Sequence, residues 1–224
     1  MQAFIGLQRL TETLEDEIIN GVFHPGEKLD LTELSARFGC SRTPVRDALQ
    51  RLEQSGLVEI RPKRGTYVST LSITELVQRF EVMAELEGMS VRLATKSVTA
   101  EDLDSLRGAL RDCEQYSAND DPDGYYQANA TFHGLFYNYS GNAYLLDQAQ
   151  NLRRILRPYR RLQLRVPHRM RQSLSEHRSI LEAVSEGNSQ QAAELAREHV
   201  LTQIAEFGQL VRTWGAINSR VADW

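Results

Sequence analysis

Two short helical patterns joined by a very short turn restrict the fold of this chain more than any other feature. The first covers residues 31–38, with apolar side chains at helical spacing, and ends at Gly39, a residue that favours helix termini. The second covers residues 43–55 and keeps one apolar face, because Pro44 fits the first turn of a helix. Two helices joined by a tight, glycine-containing turn are typical of a helix-turn-helix.

The segments on either side extend this pattern to a complete small domain. Residues 7–20 carry apolar side chains at three- and four-residue spacing and predict a helix that Gly21 ends. Residues 57–60 and 66–68 alternate like strands around a Pro- and Gly-containing turn at 61–65. Three helices and a hairpin predict a winged helix-turn-helix domain over residues 1–70.

The remainder of the chain, residues 71–224, has no strand pattern. Its helical periodicity is interrupted at five places, which predicts about six helices. The fold class is therefore mostly α, with an N-terminal winged helix-turn-helix followed by an all-α helical bundle. With no apolar run near the ~18 to 20 residues of a membrane span and no signal peptide at the start, we expect a cytoplasmic protein.

Charge is distributed unevenly along the chain. The net charge is −4, yet residues 37–64 contain seven basic and three acidic residues. A local positive excess of this kind suits the phosphate backbone of a nucleic acid, although a solvated charged face would look the same. The two cysteines, Cys40 and Cys113, lie far apart in the sequence and are most simply small apolar fillers.

Basic and hydroxyl side chains cluster at the start of the third predicted helix. Arg42 and Arg46 are four residues apart and project from one helix face. Arginine reads guanine O6 and N7 through two hydrogen bonds, and Ser41 and Thr43 offer hydroxyls to phosphates. The tip of the predicted hairpin adds two further cations, Lys63 and Arg64. Their order and spacing predict binding to double-stranded DNA.

The predicted bundle contains three inward-facing histidines on three different helices. His133 shares a helix face with Asn129, four residues earlier, whereas His177 and His199 fall on the apolar faces of two later helices. A single core histidine is usually structural. Three that converge inside a bundle would suit a divalent metal, because imidazole is the commonest side-chain ligand of such ions.

Residues 7–69 resemble the GntR family of bacterial transcription regulators. The resemblance rests on PGEKL at 25–29, LSARFGCSRTPVRDAL at 34–49, LEQSGLV at 52–58 and RGTYV at 64–68. It implies that Arg42 and Arg46 read bases, and that the DNA backbone or groove edge is contacted by Ser41, Thr43, Arg64 and Gly65. Many relatives carry an arginine where this chain has Thr32.

The helical part resembles the FCD-type effector domain of the FadR-like branch of that family. The matching stretches are FH at 132–133, GNAYL at 141–145, EHRSILEA at 176–183 and REHV at 197–200. The resemblance implies a metal held by His133, His177 and His199 together with an acidic residue, for which this chain has Asn129. Zinc, nickel and manganese remain open.

Two departures from that pattern bear on ligand binding. A neutral amide at Asn129 would leave the ion its full charge, so a carboxylate effector is the natural additional ligand. Alternatively, an organic anion could bind to a metal-free site through protonated histidine and arginine. Met83 stands where relatives often have an arginine, and the effector-binding arginine would then come from residues 153–161.

The sequence predicts a ligand-responsive regulator, usually a repressor, that binds a short operator as a homodimer and responds to a small carboxylate. It is not expected to be an enzyme. One alternative is a DNA-binding dimer whose bundle is only structural. A second is a zinc-dependent hydrolase, although no residue with a motif-defined role as general base accompanies the histidines.

Overall fold

The structure is a computed structural model that describes residues 6–19, 21–23 and 25–218, with side chains described through residue 204 except at 19, 73 and 162. The chain divides into two compact units between Ile73 and Thr74. No helix in the described part of the chain combines the length and apolar content that a membrane crossing requires.

The first unit is a winged helix-turn-helix, as predicted. Its elements are α1 (Leu7–Ile19), β1 (Lys28–Leu29), α2 (Leu31–Phe38), α3 (Arg42–Gln54), β2 (Val58–Arg61) and β3 (Gly65–Val68). The three strands form an antiparallel sheet in the order β1-β3-β2. Sequence alternation predicts only β2 and β3, because β1 has two residues and exists through its pairing with β3, where Lys28 lies opposite Tyr67.

Helix α2 is short because both of its ends are capped. The Asp30 side chain accepts hydrogen bonds from the backbone N–H groups of Thr32 (2.7 Å) and Glu33 (3.1 Å). At the other end, Gly39 adopts a left-handed conformation with φ of 62°. The chain then turns directly into α3, whose apolar face packs against α1.

The second unit is a bundle of six helices within the described residues, which agrees with the predicted number. They are α4 (Ile73–Thr95), α5 (Ala100–Ala118), α6 (Pro122–Tyr139), α7 (Ala143–Gln163), α8 (Arg169–Ser185) and α9 (Ser189–Asn218). Helix α5 packs against α6 and α8, α8 against α9, and α7 against both α6 and α9. These five helices form a closed circuit, so each directs one face toward a common interior.

Candidate functional site

The exposed face of α3 carries the two arginines that the sequence singles out. Arg42 and Arg46 are exposed, whereas Val45 and Leu49 on the opposite face are buried in the core of the first unit. Ser41 is the N-cap residue of α3, but its hydroxyl makes no capping hydrogen bond. A row of cationic and hydroxyl groups therefore lies on the side of α3 that faces away from the core.

Arg42 is positioned by a contact with the preceding helix. One of its terminal guanidinium nitrogens, Nη2, donates a hydrogen bond of 3.1 Å to the hydroxyl of Thr32. Thr32 stands at the position where the family that residues 7–69 resemble often has an arginine. In this chain the hydroxyl of Thr32 therefore restrains the side-chain conformation of Arg42 through this hydrogen bond.

The wing presents its cations at the turn between β2 and β3. Lys63, Arg64 and Gly65 are all exposed there, and Gly65 has φ of 115°. A Cβ at this glycine would lie 3.0 Å from Cε of Lys28. The nearby Arg61 is instead paired with Glu59 on its own strand. Contacts of the wing and of α3 with DNA remain predictions.

The three histidines of the bundle meet in its interior. His133 comes from α6, His177 from α8 and His199 from α9, and none is more than 2% exposed. The Nε2 atom of His177 lies 3.2 Å from that of His133 and 3.4 Å from that of His199. One ring nitrogen from each histidine lies within 4.8 Å of the other two.

Two carboxylates orient these rings from outside. Nδ1 of His133 lies 2.9 Å from Oε2 of Glu87, and Nδ1 of His199 lies 2.6 Å from Oε2 of Glu176. A carboxylate accepts, so each Nδ1 carries the hydrogen and each Nε2 presents a lone pair. His177 can donate one N–H to only one of those lone pairs, so the cluster contains more acceptors than donors.

Glu87 on α4 connects the histidines to α7. Its carboxylate accepts a hydrogen bond from the hydroxyl of Tyr137 and one of 3.2 Å from Arg153, while the guanidinium of Arg160 lies 3.8 Å away. Burial by itself would raise the pKa of Glu87, but His133, Arg153 and Arg160 outweigh that effect and hold the pKa well below its usual value.

The histidines are neutral at physiological pH. Burial lowers the pKa of His133 to about 3, despite the opposing influence of Glu87. Burial likewise lowers the pKa of His177 and of His199. Neutral imidazole is the form that binds metals. An anion site built on protonated histidine is therefore disfavoured, and a cation for an anionic ligand has to come from arginine.

A small polar cavity adjoins the histidine cluster. It has a volume of about 10 Å³, and its walls include Asn129, Arg160 and His199. Oδ1 of Asn129 and both terminal nitrogens of Arg160 are buried without a hydrogen-bond partner among the described residues. Unsatisfied buried polar atoms are costly and rare. Here the residues that carry this acceptor and these two charged donors line the same cavity.

These residues fit a divalent metal. Tetrahedral coordination at 2.0–2.1 Å separates two ligand nitrogens by about 3.3 Å. The distances from Nε2 of His177 to Nε2 of His133 and of His199, 3.2 and 3.4 Å, match this value, and the set as a whole lies within 4.8 Å. Glu87 and Glu176 occupy the places of the carboxylates that orient metal-binding histidines elsewhere. The unpartnered Oδ1 of Asn129 could add an oxygen ligand.

A winged helix-turn-helix with exposed arginines, followed by a helical bundle with an internal polar site, defines the class of bacterial winged-helix transcription regulators. Within that class the chain belongs to the GntR family. The family model described as "Bacterial regulatory proteins, gntR family" matches residues 7–68, and the model of the FCD domain matches residues 78–202.

Curated relatives cover most of the chain. It is 31% identical over 189 residues to the uncharacterized HTH-type transcriptional regulator YdhC of Bacillus subtilis, covering 84% of this chain and 83% of that protein. It is 30% identical to the HTH-type transcriptional repressor GlaR of Escherichia coli, covering 85% and 90% respectively. These relatives are named as transcription regulators, and this chain is a DNA-binding regulator of the same family.

Solved structures have the same fold. Escherichia coli McbR/YncC superimposes with a TM-score of 0.77 at 23% identity, covering 94% of this chain and all of that one. A GntR regulator from Rhodococcus sp. RHA1 gives 0.76 at 21% identity, with coverages of 90% and 97%. At these identities the likeness concerns the fold alone.

Proposed function

We propose that this regulator is a repressor that binds operator DNA as a homodimer and responds to a small organic acid bound beside a divalent metal in its bundle. The observation that carries this proposal is the meeting of three neutral imidazoles next to the buried guanidinium of Arg160, whose two terminal nitrogens have no hydrogen-bond partner among the described residues. The lone pairs of the imidazoles favour a bound cation, and the guanidinium favours a bound anion. A metal together with a carboxylate would satisfy both.

The metal would be held by His133, His177 and His199, with Asn129 as the oxygen ligand. When bound, the ion would supply a positive centre that accepts a carboxylate oxygen. Neutral nitrogen donors suit zinc and nickel better than manganese, which prefers oxygen. Glu87 and Glu176 would keep the rings oriented, because each accepts the N–H on the far side of its histidine.

Arg160 would hold the anionic ligand. Among the arginines of α7, Arg153 is committed, since it donates to Glu87, to Tyr137 and to the backbone carbonyl of Asn129. Arg160 is 3% exposed, and among the described residues its terminal nitrogens lack hydrogen bonds and its counter-charge is Glu87, 3.8 Å away. A carboxylate accepting from both nitrogens would form a charge-assisted pair. Arg160 would thus take the ligand-binding role of the arginine that relatives often have at the position of Met83.

Repression and dimerisation are inferred from the class. The Escherichia coli relatives GlaR and RspR are both named as repressors. Helix-turn-helix proteins commonly bind two half-sites as a symmetric dimer. A ligand in the bundle could change the distance between the two winged helices of a dimer, and thereby the spacing of DNA half-sites that they can bind. Acting on bacterial DNA, the protein would work in the cytoplasm.

Metal analysis combined with thermal unfolding tests this proposal. We expect the purified full chain to bind about one zinc ion per chain, and acetate to raise Tm only when zinc is present. His177→Ala should abolish zinc binding. Arg160→Gln should retain zinc and lose the response to acetate, whereas Arg154→Gln, a change at an exposed arginine of the same helix, should keep both.

Two results would contradict the proposal. Absence of any bound divalent metal would mean that the histidines are core residues and that the bundle is a structural, dimerising element. A response to acetate that persists without zinc and in Arg160→Gln would mean that the anion binds elsewhere.

A further inference from the structure

A second, larger cavity opens at the end of α7 and the start of α8. Its volume is about 480 Å³, which is within the range of small-molecule pockets. Its inner wall contains Leu164 and Met170, both of which are buried. Exposed cationic side chains, Arg165 and Arg171, lie at its rim. The cavity is thus apolar at the bottom and charged at the mouth.

Leu164 is the wall shared by this outer cavity and the polar cavity beside the histidines. It lines both, and on α8 the adjacent residues Arg169 and Met170 line the inner and the outer cavity respectively. Leu164, the residue that follows the last residue of α7, therefore borders both the cavity at Arg160 and a space nearly fifty times larger.

The inner cavity is too small for a whole organic acid. Its volume of about 10 Å³ corresponds to roughly one water molecule. For an acid whose carboxylate is at Arg160, the remaining carbons could extend into the outer cavity only if Leu164, which lines both cavities, moved. Leu164 and Met170 would give that remainder an apolar surrounding.

We propose that the effector is a monocarboxylic acid with an apolar body of several carbons, whose carboxylate binds Arg160 and whose body passes Leu164 into the outer cavity. This inference rests on the proposed function, since it takes the carboxylate site as given. It adds the ligand class: an acid as short as acetate would leave the outer cavity empty, whereas a longer acid would also bury its chain there.

Binding of acetate and hexanoate to the zinc-loaded full chain, measured by calorimetry, tests the inference. Burial of the additional methylenes should make hexanoate bind at least about tenfold more tightly than acetate. Leu164→Ala should increase this ratio, because the ligand no longer has to displace a leucine. Leu164→Trp should reduce the ratio to about one, because the larger ring blocks the passage.

Leu181→Ala is the matched control, since Leu181 belongs to the same core and, like Leu164, is 6% exposed but lines neither cavity. It should leave the ratio unchanged. Equal binding of both acids to the wild type would overturn this inference and leave the proposed carboxylate site intact. Failure of both acids to bind would overturn the proposed function as well. An effect of Leu181→Ala equal to that of Leu164→Ala would also contradict the assigned role of Leu164.

Discussion

Glu87 is the residue on which the interior of the bundle most depends. It is completely buried, and its partners come from α6 and α7: His133, Tyr137, Arg153 and Arg160. Its position is visible in the sequence, because it lies on the same helix face as Phe80, Met83 and Val91, all of which are buried. A charge on an apolar stripe indicates a buried partner, and this is the signal in the sequence for a residue that the predicted site lacks.

Removing the charge of Glu87 should destabilise the bundle. Glu87→Gln leaves buried guanidinium groups without their counter-charge, so we expect the free energy of unfolding to fall by about 3 to 5 kcal/mol. Glu85→Gln is the control, since Glu85 is 70% exposed in its pair with Arg197, and such pairs contribute about 0 to 1 kcal/mol. Urea unfolding measures both. Equal losses for the two variants would show that Glu87 has no special role.

Asn129 determines how strongly the proposed site holds a metal. Asn129→Asp places a negative charge beside the ion, and we expect zinc affinity to rise at least about tenfold, as measured by competition with a chelator. Asn138→Asp changes an exposed asparagine of the same helix and should have little effect. If zinc affinity is unaltered in Asn129→Asp, Asn129 is not a ligand.

At the scale of elements, helix α3 combines two roles on opposite faces. Its buried face packs against α1, while its outer face carries Arg42, which Thr32 of α2 restrains. The amphipathic spacing predicts this division, because residues four apart share a face. The contact with Thr32 could not be predicted, since it depends on how closely the turn at Gly39 brings α2 and α3 together.

Loss of the two α3 arginines should abolish sequence-specific DNA binding. A good bidentate arginine contact contributes about 1 to 3 kcal/mol, so Arg42→Ala with Arg46→Ala should weaken binding about a hundredfold or more. Both side chains are exposed, and Tm should therefore stay within a few degrees. Arg107→Ala, at an exposed arginine of the second unit, is the control in gel-shift titrations. Retained specific binding in the double variant would exclude these arginines as base readers.

For the whole molecule, the sequence predicts the fold class and the three histidines of the cluster. It predicts less well the arginines and cavities that surround those histidines. The three histidines are identifiable because each lies on an apolar helix face. Arg153 and Arg160 are seven residues apart and share the buried face of α7 with Leu156, but five arginines between residues 153 and 161 obscure that spacing. The two cavities arise from the ends of α7 and α8, whose packing no local pattern encodes.

The central claim is that ligand occupancy of the bundle controls DNA binding by the winged helix. It is tested most directly by the affinity of the full chain, with zinc, for a DNA sequence selected from a random pool. Saturating acetate should weaken this affinity at least about fivefold in the wild type and leave it unchanged in His177→Ala. The same affinity with and without acetate in the wild type, under conditions where acetate binds, would contradict the claim.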